Sequence, residues 1–158
     1  MAVPEENQIE KINLLIVEDD REMRESFSMY FSRDAKQFAA VYAFESAEEL
    51  LAAKSLPKAV VMLLDINLPG MSGIDAIPLL KEKFAGPEIL MISVLSDSQS
   101  VFSAICAGAS GYIDKETPLP AIKDAIVQVR EGGSPITPAI ARKVFDYFQP
   151  KKETSNGL

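Results

Sequence analysis

Five short apolar runs punctuate this chain, and each is followed by a stretch whose apolar residues return every three or four positions. The runs are Ile12–Val17 (INLLIV), Phe38–Phe44 (FAAVYAF), Ala59–Leu64 (AVVMLL), Glu88–Ser93 (EILMIS) and Gly111–Asp114 (GYID). Their length and near-continuous hydrophobicity predict strands covered on both faces, as in a parallel sheet. Between them, Met23, Phe27, Tyr30 and Phe31 fall on one helical face, as do Leu119, Ile122, Ile126 and Val129. Strand–helix alternation with right-handed crossovers predicts an α/β, doubly wound (βα)5 sheet, whose commonest small form has the strand order 2-1-3-4-5. In such a sheet, chemistry is expected at the carboxyl ends of the strands, near the switch point between the first and third.

Local signals support this division. Ser46 to Glu49 (SAEE) reads as a capping box, in which each side chain satisfies a backbone donor of the other residue. Thr117-Pro118 and Thr137-Pro138 each read as an N-cap followed by proline at the first helical position. The glycines of REGGSP close a fifth helix, and PAIARKVFDYF offers a sixth. Pro78 falls within the third helical pattern and is expected to bend that helix or delay its start. The chain thus divides into an N-terminal tail (1–11), one domain (12–131), a linker with an extra helix (132–149) and a tail (150–158).

Composition removes several classes of function. The chain has no histidine and a single cysteine, Cys106. This excludes Ser-His and Cys-His triads, an internal disulfide and a cysteine-based zinc cage. Cys106 is expected to pack as a small core residue of the fourth helix. A net charge of −7 argues against direct nucleic-acid binding, where phosphate contacts dominate affinity. No apolar run approaches membrane-spanning length, and the N-terminus lacks a basic-then-apolar signal pattern, so the cytoplasm is the expected location.

Three or four acids, one hydroxyl and one lysine converge on the carboxyl edge of the expected sheet. Glu18, Asp19 and Asp20 follow the first strand, Asp65 the third, Ser93 ends the fourth and Lys115 follows the fifth. Each alone has a bland explanation: Asp20 as an N-cap, Ser93 as a local hydrogen bonder, Lys115 as a solvated loop cation. Their conjunction carries the signal. Unit charges about 4 Å apart repel by roughly 4 kcal/mol at an effective dielectric near 20, so Glu18, Asp19 and Asp65 call for a cation. Mg²⁺ suits such a site, because it takes a few carboxylates, waters and a phosphate oxygen. Acids, Mg²⁺, a lysine and a hydroxyl are the parts needed for phosphoryl transfer to an aspartate.

Over nearly all of Lys11 to Glu131, the chain resembles the receiver domain of two-component response regulators, a CheY-like, flavodoxin-like fold. The resemblance rests on LLIVEDD, LLDINLPGMSG, ILMISVLSD and AGASGYIDKETP, in family order and spacing. It implies that Asp65 is the phosphoacceptor, taking its phosphoryl group from a sensor histidine kinase. It further implies that Mg²⁺, with Mn²⁺ as a substitute, is held by Asp19 and Asp65, by Glu18 through water and by the backbone carbonyl of Asn67. Ser93 and Lys115 would bind the phosphoryl group, and Tyr112 would be the aromatic switch residue. The chain would catalyse only its own phosphorylation and dephosphorylation.

Two positions depart from the family pattern. Glu116 stands where many receivers have a proline with a cis peptide bond, and Val94 where a small residue often sits, a change expected to narrow access to the phosphate. Asn67 and Leu95 flank the expected path of hydrolytic water. The segment EGGSPITPAIARKVF resembles the end of LuxR/NarL-type receivers, where a linker helix leads to a helix-turn-helix domain. A homodimer on activation, and DNA binding only through a C-terminal domain lying outside this chain, are the expectations. A stand-alone or phosphate-independent receiver acting by protein–protein contact is the alternative. A haloacid-dehalogenase-type phosphatase also uses an aspartate and Mg²⁺, but it needs a second acid where this chain has Asn67. Flavin binding would need a phosphate-cradling loop in place of the acidic EDDREMR.

Overall fold

The computed structural model describes residues 10–94 and 97–150; Leu95 and most of both tails lie outside the described residues. Five parallel strands form one sheet: β1 (Ile12–Val17), β2 (Phe38–Phe44), β3 (Val60–Asp65), β4 (Glu88–Ser93) and β5 (Gly111–Asp114). Their order is β2-β1-β3-β4-β5, the order expected of the commonest small doubly wound sheet. Among the described residues six helices accompany them: α1 (Arg21–Ser32), α2 (Ala47–Leu51), α3 (Gly73–Lys83), α4 (Ser98–Ala107), α5 (Leu119–Arg130) and α6 (Pro138–Phe148).

The period-two alternation of strand side chains sorts the core into two layers. Leu14, Ile16, Val61, Leu63, Leu90, Ile92 and Ile113 face Phe27 and Phe31 of α1 and Ile122, Ile126 and Val129 of α5. On the other side, Leu15, Val17, Met62, Leu64, Met91 and Tyr112 meet Leu50, Ile77, Leu80, Val101 and Ala104. Phe31 anchors the first layer, with Tyr30 and Phe38 edge-on to its ring at centroid distances of 5.3 and 5.6 Å. Ile140 of α6 is fully buried in the second layer, so the sixth helix belongs to the folded body.

Several local expectations shift by a residue or change partner. β3 begins at Val60 and ends at Asp65, one residue later than the apolar run suggested. Ala59 has a left-handed φ of 57°, which breaks the extended backbone before the ladder starts. In the capping box, Ser46 Oγ accepts from the Glu49 amide at 3.1 Å, but the Glu49 carboxylate reaches Glu45 N–H at 2.9 Å instead of Ser46. The N-cap of α5 is Pro118, with Thr117 one residue outside the helix. Pro78 lies inside α3, which starts at Gly73 behind an Ser72 cap, so the proline does not delay the helix. Cys106 is exposed, contrary to the core position expected for it. The buried face of α4 is set by Val101 and Ala104, and two further residues rotate Cys106 about 200° from Ala104.

Candidate functional site

β3 delivers Asp65 to the carboxyl edge with its side chain only 1% exposed. Two backbone features fix the carboxylate there. Ile66 N–H donates across to the Ile92 carbonyl at 3.3 Å, and Asn67 N–H donates to Asp65 Oδ1 at 3.1 Å. The turn then folds tightly, with Gly73 N–H donating to the Ile66 carbonyl at 2.9 Å. Gly73 has to be glycine for this approach, because a Cβ there would collide with the Asp65 carbonyl oxygen. The start of α3 is therefore packed directly beneath Asp65.

β1 ends one residue before Glu18, which is buried, whereas Asp19 and Asp20 are exposed. Asp20 is the N-cap of α1, its Oδ1 accepting from Glu22 N–H at 2.9 Å and Met23 N–H at 3.2 Å. The bland reading of Asp20 therefore stands. Glu18, Asp19 and Asp65 each present a carboxylate oxygen within 4.8 Å of the others. Arg24, a residue that sequence patterning did not single out, donates to the backbone carbonyls of Glu18 and Asp19 at 2.9 and 3.2 Å. It pins the acidic loop from one turn inside α1. Nothing in its spacing announced this, because its partners are backbone atoms.

Lys115 bridges the acids. Its Nζ donates to Asp65 Oδ2 at 2.9 Å and to Glu18 Oε1 at 3.2 Å, and lies 3.0 Å from Glu18 Oε2. Burial raises the Glu18 carboxyl to about 7; the Asp65 charge adds to this and the Lys115 hydrogen bond opposes it. For Lys115, burial favours the neutral amine, but hydrogen bonds to Asp65 and Glu18 outweigh it and the net displacement is upward. Glu18 Oε2 is buried and makes no hydrogen bond of its own; the Lys115 ammonium of the ion pair lies 3.0 Å away. A buried carboxylate oxygen with no hydrogen bond, beside two further carboxylates, fits a hard divalent cation of the Mg²⁺ class. The backbone carbonyl of Asn67 belongs to the same turn, whose side chain is exposed.

Ser93 ends β4 fully buried, and its Oγ lies 3.1 Å from the hydroxyl of Tyr112, which is 1% exposed. The two hydroxyls connect the end of β4 to the middle of β5. Val94 is exposed and lines a cleft of about 190 Å³ with Asp114, Lys115, Glu116 and Ala139. Peptide bonds are all trans among the described residues, so the Lys115–Glu116 bond is not cis.

Three acids and a bridging lysine at the switch point of a 2-1-3-4-5 sheet, with a buried hydroxyl pair on the neighbouring β4 and β5, define a class of doubly wound module organised around the end of its third strand. Comparison with known proteins narrows the class. The chain is 27% identical over 139 residues to the transcriptional regulatory protein DegU of Brevibacillus brevis, an alignment covering 88% of this chain and 58% of DegU. It is 31% identical over 145 residues to the response regulator GacA of Pseudomonas protegens, covering 90% of this chain and 67% of GacA. A LuxR-family two-component response regulator from Aurantimonas sp. SI85-9A1 superposes with a TM-score of 0.73 at 26% identity, over 85% of this chain and 96% of that one. Residues 14–127 match the response regulator receiver domain, and the chain belongs to that family. Its relatives are regulators of the LuxR/NarL type, and it spans 58% of the length of DegU. No helix among the described residues is long and apolar enough to cross a membrane.

Proposed function

We propose that the chain is a phosphorylation-dependent signalling switch, with Asp65 accepting a phosphoryl group from a phosphohistidine of a sensor kinase. The observation that carries this reading is the carboxylate of Asp65, buried at the strand end, bridged by Lys115 at 2.9 Å and within 4.8 Å of Glu18 and Asp19. The donor histidine has to come from outside these 158 residues, which contain none.

In the transfer, one Asp65 carboxylate oxygen forms a bond to phosphorus while the phosphorus–nitrogen bond to the histidine breaks. The electron pair leaves on the imidazole nitrogen, and the product is an acyl phosphate. Asn67 N–H holds the other geometry fixed by donating to Oδ1. A bound Mg²⁺, held by Glu18, Asp19, Asp65 and the Asn67 carbonyl, would neutralise charge on the phosphoryl oxygens. Lys115 is placed to exchange its carboxylate partner for a phosphoryl oxygen, and Ser93 to turn its hydroxyl toward the same group. Tyr112, in contact with Ser93 at 3.1 Å, then reports the change to β5. Such a switch moves an existing equilibrium only as far as the phosphoryl group binds the two states differently.

Output in a regulator of this type would follow from self-association that pairs two DNA-binding domains on adjacent half-sites. The acidic chain itself is expected to bind no specific DNA. The test is intact-mass analysis after treatment with acetyl phosphate. One phosphoryl group should add in Mg²⁺ or Mn²⁺, and none in the Asp65→Asn variant. Equal labelling in EDTA would refute the metal requirement. Size-exclusion chromatography with and without fluoroberyllate tests the association, and a gel shift tests for DNA.

A further inference from the structure

The loop that carries Lys115 has an anchor that the family pattern does not explain. Lys115 is fixed on one side by its own N–H, which donates to the Ser93 carbonyl at 2.8 Å. On the other side Glu116 replaces the proline, and the carboxylate of Asp114 organises the turn. Asp114 Oδ1 accepts from Glu116 N–H at 3.1 Å and from the Thr117 hydroxyl at 3.4 Å, while its carbonyl accepts from Thr117 N–H at 3.2 Å. The second carboxylate oxygen, Oδ2, accepts the hydroxyl of Thr137 at 3.0 Å.

Thr137 is the N-cap of α6, a position where the side-chain oxygen ordinarily accepts from an amide of the first turn. It makes no such bond here, and its hydroxyl proton is directed at Asp114 instead. The backbone around it is clamped to the edge of β5. Tyr112 N–H donates to the Pro135 carbonyl at 3.0 Å, and Thr137 N–H to the Tyr112 carbonyl at 3.3 Å. Gly111 makes room for this strap, since a Cβ there would lie 2.7 Å from the Pro135 oxygen. Behind the strap, Ile140 is fully buried and Tyr147 stacks on Phe102 of α4 at 3.9 Å. An unbroken series of contacts therefore runs from docked α6 through Thr137 and Asp114 to Lys115, and from Lys115 to Asp65 and Glu18.

We propose that Asp114 is a positioning residue for Lys115 and that, through Thr137, it couples the docking of α6 to occupancy of the Asp65 site. The inference rests on the reading of Asp65 as phosphoacceptor. When Lys115 changes partner, the Asp114 turn bears the displacement, and Thr137 either keeps or loses its acceptor with it. Occupancy of the site firms the turn and so firms α6. By linkage, docking of α6 must strengthen binding at Asp65 by the same factor.

The test compares the wild-type chain with Thr137→Val, which keeps the shape and removes the hydroxyl, and with Thr137→Ser, which restores it. Hydrogen exchange is read at α6 amides, including Ala141 N–H, with and without fluoroberyllate and Mg²⁺; the apparent affinity for fluoroberyllate is read in parallel. In wild type, protection of α6 should rise about 5-fold or more on binding, the lower end of ordinary allosteric coupling. Thr137→Val should lose that rise and bind fluoroberyllate more weakly by the corresponding factor, and Thr137→Ser should recover both. If Asp65 is phosphorylated normally but Thr137→Val behaves as wild type, the coupling is wrong and the phosphoacceptor reading stands. If the wild-type chain takes no phosphoryl group on Asp65, both are overturned.

Discussion

Replacing Lys115 with alanine removes the ammonium that lies 2.9 Å from Asp65 Oδ2 and 3.0 Å from Glu18 Oε2. Both acids have side chains only 1% exposed, so neither recovers full hydration when its partner leaves. Breaking a buried pair from one side costs about 3–5 kcal/mol. Carboxylates within 4.8 Å of each other add repulsion of roughly 3.5 kcal/mol at an effective dielectric near 20. Proton uptake limits the total. Glu18 already stands at about 7 against an ordinary 4.5, so the folded state holds more protons than the unfolded one between those values. Its contribution to stability is therefore greatest below pH 4.5 and declines as pH rises to about 7. Without Lys115 the Glu18 carboxyl rises further, and the decline continues above pH 7. The expected loss is about 3 kcal/mol at pH 8, shrinking to about 1 kcal/mol at pH 5.5 as the acids are neutralised. Urea denaturation in EDTA, followed by far-UV circular dichroism, measures it at both pH values. Adding Glu18→Gln to Lys115→Ala should recover about 1–2 kcal/mol by removing one uncompensated charge. A loss below about 1 kcal/mol at pH 8, or one that grows on acidification, would refute this electrostatic account.

Gly73→Ala should strongly destabilise the fold, because the new Cβ would overlap the Asp65 carbonyl oxygen and lie 3.0 Å from the Ile66 Cα, both backbone atoms with no freedom to yield. Thermal unfolding checks this, and a variant as stable as wild type would show that α3 does not pack as described. Ile140→Ala should cost about 2–5 kcal/mol in urea denaturation, as for any fully buried isoleucine, which tests whether α6 is part of the folded body. Cys106 should react with Ellman's reagent in the native protein, one thiol per chain, without denaturant; slow reaction limited by unfolding would return it to the core. Lys115→Ala should still be labelled on Asp65 by acetyl phosphate, since the lysine senses the phosphoryl charge and does not perform the attack. Tyr112 resonances in that variant should no longer follow the phosphorylation.

The alternation of apolar runs and amphipathic stretches determined the parallel sheet and its two-layered core, and the commonest form of such sheets supplied the strand order. Strand and helix periodicities state which side chains face inward, and right-handed crossovers leave few ways to connect them. The placement of Asp65, Glu18, Ser93 and Lys115 at one edge was legible for the same reason: a strand end is visible in sequence, and the topology assembles the ends. Partners were a different matter. That Lys115 bridges Asp65 and Glu18, that Arg24 holds two carbonyls of the acidic loop, and that Thr137 turns from its own helix to Asp114 all depend on contacts between distant residues. Cys106 was misplaced because composition says that cysteine tends to be buried, while only the packing of α4 says which way one residue points. Periodicity is a local property that a chain carries with it before folding, whereas hydrogen-bond partners and the reach of a side chain exist only once separate elements have docked.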